Sequence, residues 1–205
     1  MDDGHEDGGR AGYRRSAGTQ RGEARRRELL ERVTADLAVN GLVDFSLRRA
    51  ARAAGTTHKV LLYHFDGVDD LLTQAILRLR GRRIDNALAA VGTGPSTLAE
   101  RVRAMWPALV AEESRVLDQA IGLTMYDPQR YAQLGRGASQ QYLPTLLALC
   151  PRGWSDTRKH EVAQMILGTL RGFLIHRATG GDPSWIDAGF VALSRALDRE
   201  EAAAE

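Results

Sequence analysis

The chain carries a single cysteine, Cys150, among its 205 residues. A lone thiol cannot close a disulfide within the chain or build a cysteine-rich metal site, and it fits a reducing compartment. A core or helix-end position accounts for Cys150 better than a redox or catalytic one. Aromatic residues are sparse, at 6%. No window approaches the ~18 uncharged apolar residues of a membrane-spanning helix, and the polar, Arg- and Gly-rich N-terminus has no apolar stretch like that of a secretion signal. These absences give the expectation of a cytoplasmic protein with no membrane partner. Also missing are a glycine-rich phosphate loop after a strand, a His-Glu-x-x-His zinc signature and a Gly-x-Ser-x-Gly elbow. His160-Glu161 stands without a metal-spaced partner. No catalytic group, metal or cofactor is therefore expected; an enzyme is the rival class, resting only on serines and histidines that the fold could bring together.

The length permits one large domain or two modest ones with a real core. The net charge of +2 conceals an asymmetry. Arg10 to His64 holds twelve Lys/Arg against five Asp/Glu, a difference of +7, whereas Ile84 to Glu205 holds twelve against fourteen, or −2. A basic segment on a slightly acidic body points to a polyanionic partner at one end, although a solvated basic face would look the same.

No stretch combines strand-like alternation with β-branched or aromatic enrichment, so the expected class is all-α, with about nine helices. Residues 1–22 read as a basic leader. A first helix is expected from Glu23 to Val39, with Leu29, Leu30, Val33 and Leu37 as its apolar stripe and Asn40-Gly41 as its stop. Ser46 caps a second helix, Leu47 to Ala54, and Thr57 caps a third, His58 to Phe65. A fourth runs from Val68 to Val91. Thr97 with Glu100 is a capping-box pattern opening a fifth helix, which Pro107 kinks. A sixth helix spans Arg115 to Met125. Asp127-Pro128 opens a seventh that reaches Leu149 and bends at Pro144; Ser155 caps an eighth to Ala178, and Asp182-Pro183 starts the ninth. Residues from Glu200 on read as frayed. The expected boundaries divide the chain into 23–67 and 68–200, with 201–205 as a tail.

Ser46 to Phe65 forms a unit of two short helices joined through Gly55 with almost no linker. Such a pair packs steeply and leaves the second helix exposed, a shape that fits the major groove. Leu61 with Ala50 and Ala54 should face inward, while Thr57, His58, Lys59, Tyr63 and His64 point outward. An ordinary helical hairpin would not need so many polar groups there.

The run Phe45-Ser46-Leu47-Arg48-Arg49-Ala50-Ala51-Arg52-Ala53-Ala54-Gly55-Thr56-Thr57-His58-Lys59-Val60-Leu61-Leu62-Tyr63-His64-Phe65 resembles the DNA-binding signature of the TetR family of transcriptional repressors. The Leu-x-Tyr-His-Phe ending, the leucine-rich helix after it and Gly55 at the junction carry the likeness, which covers about Arg25 to Leu72. It implies an N-terminal three-helix helix-turn-helix domain followed by a helical ligand-binding and dimerisation domain. By position it implies that Ser46 and Thr57 cap helices and bind phosphate, and that Arg48 reaches a base edge or phosphate. His58 and Lys59 would read bases, and Tyr63 and His64 would meet the DNA backbone. Val60 stands where the family usually has Thr or Ser, which makes it an apolar contact for a thymine methyl. Leu62 replaces a frequent tyrosine, removing one phosphate contact, and Val68 replaces a commonly basic residue.

A reader this small is expected to act as a homodimer on a double-stranded operator. The stripes Val162, Ile166, Leu170, Phe173, Leu174 and Trp185, Phe190, Leu193, Leu197 on the last two helices are the candidate interface, unless they pack only within the monomer. A small-molecule effector would lie among the middle helices, against Met105, Trp106, Leu109, Gln119, Met125, Tyr126, Tyr142 and Met165. Arg171 is expected to pair with Asp118 or Glu112, and His176 to sit as an interface histidine.

Overall fold

The computed structural model describes residues 19–92 and 96–203. Most of the expected leader lies outside them. The described chain is built of ten α-helices and one short 3₁₀ turn: α1 (Gln20–Asn40), α2 (Leu47–Ala54), α3 (His58–His64), α4 (Val68–Val91), α5 (Leu98–Val110), a 3₁₀ turn (Glu112–Ser114), α6 (Arg115–Tyr126), α7 (Pro128–Gly135), α8 (Ala138–Leu149), α9 (Asp156–Ala178) and α10 (Pro183–Ala202). Among the described residues no helix is long and apolar enough to cross a membrane.

Side-chain caps set most of the starts. Ser46, Thr57, Asp127, Ser155 and Asp182 each accept a hydrogen bond from an N–H in the first turn of the helix they open, which satisfies donors that have no partner inside a helix. Thr97 and Glu100 form a reciprocal capping box. Three boundaries differ from the sequence expectation. First, α1 begins at Gln20 because Thr19 caps it, its hydroxyl accepting from Gly22 N–H at 3.1 Å, so residues 20–22 belong to the helix and not to a leader. Second, the single helix expected from Pro128 to Leu149 is broken in two. Gly137 takes a left-handed conformation (φ 71°) and Arg136 N–H turns back to Ala132 O at 2.8 Å. Neighbouring Gly135 fits where a Cβ would stand 2.7 Å from Thr124 Cγ2; a larger residue would push α7 off α6. Third, the end of α10 is held and not frayed: the Glu201 carboxylate accepts from Leu98 N–H at 2.9 Å, and Glu200 pairs with Arg158 at 3.3 Å.

The chain forms two compact units that divide within α4, between Arg78 and Leu79. In the first, Leu29, Val33 and Leu37 of α1 are fully buried with Ala50 and Ala54 of α2, Leu61 of α3 and Leu71 of α4. Arg49 joins these parts. Its Nε donates to Asp36 Oδ2 at 2.8 Å, one terminal nitrogen to Val43 O at 2.7 Å and the other to Gly41 O at 2.9 Å. The guanidinium therefore closes the end of α1, the connecting turn and the start of α2 around one charge. Arg26 does the same elsewhere, donating from Nε to His64 O at 3.0 Å and from Nη2 to Gln74 Oε1 at 2.6 Å while lying over the Phe65 ring. The His64 side chain is half-buried, its Nδ1 buried without a hydrogen-bond partner, which departs from the expectation that the whole side chain points outward. Burial, then the charges of Arg25 and Arg26, hold its pKa below the ordinary histidine value.

The second unit packs α5, α8, α9 and α10 around one core. Phe190 meets Phe173 at 4.9 Å and Trp106 at 5.2 Å between ring centroids. This core contains most of the residues read as a dimer interface: Val162, Ile166, Leu170, Leu174, Phe190, Leu193 and Leu197 are all buried within the single chain. They are not free for a partner; the periodicity marks the face each helix turns toward its own neighbours. Trp185 alone of the nine candidates stands well out, at 69% exposure, and Phe173 is half-buried in the core. Three further arginines end on helix C-termini: Arg80 donates to Leu134 O, Arg83 to Leu109 O and Arg177 to Val110 O.

Two predictions follow from the first unit. Arg49→Ala strands Asp36 and two carbonyls, and should lower the unfolding free energy by about 2–4 kcal/mol in urea titration. His64 is harder to protonate folded than unfolded, so its contribution is present above the unfolded value near 6.5 and is lost as pH falls below that. Between pH 7 and 5 the Tm of His64→Gln should consequently drop less than that of the wild type.

Candidate nucleic-acid interface

Helices α2 and α3 are joined by Gly55, Thr56 and Thr57 alone. Gly55 adopts φ 62°, ψ 41°, the left-handed region where side chains are strained, and its N–H returns to the carbonyls of Ala51 and Arg52. A Cβ there would also stand 3.2 Å from Arg32 Nη1, which donates to Ala54 O at 3.0 Å. The residue is thus fixed both by backbone conformation and by the arginine that seals α2. Fully buried Ala50, Ala54 and Leu61 hold the two helices together, as the sequence pattern implies.

The opposite side is exposed. Arg48, Thr57, His58 and Lys59 come together along one open surface groove of about 550 Å³, with Arg52 and Thr56 completing it. From Phe45 to Phe65 there are four Lys/Arg and no Asp/Glu. Arg49 is committed to Asp36, which leaves Arg48, Arg52 and Lys59 exposed, and among the described residues none of these three pairs with a carboxylate. Arg52 was not among the sequence candidates. Its position four residues after Arg48, one helical turn away on the same face, is the signal that identifies it. Ser46 is exposed at the start of α2 with its hydroxyl on Arg49 N–H at 3.3 Å, and Thr57 caps α3 through Val60 N–H at 3.4 Å. Val60 and Tyr63 are half-buried beside the groove, the Tyr63 ring meeting His64 edge-on at 4.7 Å.

In the second unit a cavity of about 50 Å³ opens between α4, α5, α6, α8 and α9. Of the expected ligand contacts, Met105, Leu109 and Tyr142 line it. The others do not. Trp106 is spent in the aromatic cluster, Met165 lies on the outer face of α9, and Tyr126 is 86% exposed. Gln119 and Met125 border two separate surface clefts. Residues that sequence reasoning missed as ligand contacts, among them Arg83, Ile84, Thr145, Leu167 and Arg171, supply the rest of the cavity wall. Arg171 does not meet Asp118 or Glu112 as expected. Its Nη1 donates to Ser139 Oγ at 3.0 Å, while Asp118 faces Arg83 at 3.7 Å. Burial raises the Asp118 pKa against the lowering effect of Arg83 and Arg177. His176 stacks on Trp185 with ring centroids 5.5 Å apart.

A scan of protein-family models finds no match to the chain, and a search of curated proteins finds none either. Solved structures do match. A TetR-family transcriptional regulator from Cytophaga hutchinsonii superposes with a TM-score of 0.64 at 16% identity, over 88% of this chain and 96% of its own. The multidrug binding protein EbrR, solved with imidazole, gives 0.64 at 18% identity over 85% and 90%. A Pseudomonas aeruginosa PAO1 protein assigned as a transcriptional regulator gives 0.61 at 21% identity over 92% and 95%. This chain has the all-α fold of the TetR-family transcriptional regulators.

Proposed function

We propose that the chain is a DNA-binding transcriptional regulator, a repressor that holds an inverted-repeat operator as a homodimer and releases it when a small molecule binds. The observation that carries this reading is the acid-free groove on α2 and α3. It presents Arg48, Arg52, His58 and Lys59 from a base pinned by Arg49, Arg32 and Arg26. A two-turn helix with polar, cationic side chains on one face and a buried leucine on the other has the dimensions of a major-groove reader. His58, Lys59 and Val60 would face base edges, while Arg48, Arg52 and Tyr63 would hold the phosphates.

A single reader of this size covers too little DNA for specificity, so two copies are needed. The residues available for that are those the core does not use. Met165 and Ile175 on α9 and Trp185 and Val191 on α10 are exposed apolar side chains, and they take over the role first read into the buried stripes. The fold likeness to EbrR, a protein named for binding drugs, supports the cavity of the second unit as the effector site.

Selection of bound duplexes from a random pool should return an inverted repeat. Lys59→Ala and Tyr63→Ala should abolish binding to it, and Arg52→Ala should weaken binding across all sequences and lower the salt slope by about 1. Wild-type binding in Lys59→Ala and Tyr63→Ala would overturn the site assignment. A steep salt dependence with no selected motif would mark a sequence-neutral binder, and no binding at all would return the enzyme class to first place. Sedimentation should show a dimer that Ile175→Glu with Val191→Glu converts to a folded monomer.

A further inference from the structure

The cavity wall is almost wholly apolar, and two arginines, Arg83 and Arg171, are among the side chains that line it. Arg83 lines the cavity at 4% exposure, and its Nε is buried with no hydrogen-bond partner. Its terminal nitrogen is shared between Leu109 O and Asp118, the latter 3.7 Å away. Arg171 also lines the cavity; its Nη1 donates to a neutral hydroxyl, that of Ser139 at 3.0 Å, and among the described residues no carboxylate pairs with it. Arg80 is buried on Leu134 O, where burial first and then the charges of Arg171 and Arg83 disfavour its own. Of the two guanidinium groups that line the cavity, only Arg83 has a carboxylate within reach, that of Asp118. A buried guanidinium cannot shed its proton, so the charge of Arg171 stays there for an anion to meet.

We propose that the effector is a small organic anion, a monocarboxylate with an apolar body, whose carboxylate meets Arg171 and Arg83 and whose body lies against Ile84, Leu109 and Leu167. This rests on the ligand-responsive reading above. The cavity as it stands has room for about four water-sized groups. A neighbouring cleft of about 610 Å³, which Asp118 also borders, shares Ile121, Arg171 and Leu174 with it, so Arg171 stands at the junction of the two. A planar fork is the donor geometry a carboxylate takes in two parallel bonds. A cationic effector in the cavity, by contrast, would meet two guanidinium groups and no carboxylate in its wall.

The test uses the full-length protein without DNA, so that its outcome is independent of operator binding. Straight-chain acids from butyrate to octanoate, and benzoate, are titrated by calorimetry beside their primary amides, which keep shape and lose charge. At least one acid should bind, at least ten-fold more tightly than its amide. In Arg171→Gln that ratio should fall to within about two-fold, and Arg171→Lys should recover part of it. Arg83→Gln provides a second reading wherever it keeps the wild-type Tm. Equal affinity for acid and amide overturns the proposal, as does an acid preference that survives in Arg171→Gln, and so does failure of every acid to bind. If duplex selection still yields an inverted repeat in any of these cases, the regulator reading stands and only the anionic effector is lost.

Discussion

The carbonyls at the C-terminal ends of helices have no partner inside the helix, and in this protein arginine supplies it again and again. Arg32 closes α2, Arg26 closes α3, Arg83 and Arg177 close α5, Arg80 closes α7 and Arg158 reaches the end of α10. Twenty-six of the chain's 28 basic residues are arginine. A cation at the negative end of a helix dipole is favoured, and a weakly hydrated planar fork tolerates burial better than an ammonium. The short helices that form the candidate groove depend on this arrangement. At seven or eight residues they are far below the length at which a helix is stable alone in water, so their geometry is fixed by what grips their ends.

This division of labour explains the electrostatics of both units. In the first, Arg49 is absorbed by Asp36 and two carbonyls, so that the neighbouring Arg48 and Arg52 keep the exposed face basic. In the second, Arg83 spends itself on α5 and on a half-buried acid, and Arg171 lines the cavity with only the Ser139 hydroxyl as its hydrogen-bond partner. Adjacent arginines in the sequence therefore do opposite things according to helical phase. Position 49 turns toward α1, whereas positions 48 and 52 turn away from it.

Local signals were the legible ones. Ser46, Thr57, Thr97, Ser155 and Asp182 cap the helices their sequence context implies, because a cap is decided within four residues. The inward set Ala50, Ala54 and Leu61 was equally readable from helical spacing. Periodicity failed where a distant partner decides the outcome. It marked Ile166, Phe190 and Leu197 as one apolar face without saying whether that face is buried by its own chain or by another. The break at Gly135–Gly137 is not legible locally, because the approach of Thr124 to Gly135 and the left-handed turn at Gly137 are settled by how α7 meets α6. Arg171 was assigned the wrong partner because sequence supplies charges but not distances.

The reliance on forked donors also sets which drift the chain can accept. At Arg49 one rigid plane serves Asp36, Val43 and Gly41 from three nitrogens. A lysine keeps the charge but concentrates it at one point, and leaves at least one of those acceptors dry. At Arg52, where the side chain hangs in solvent, the same exchange removes little. Chemically similar neighbours in the alphabet are thus interchangeable on the outside of this protein and not at its joints.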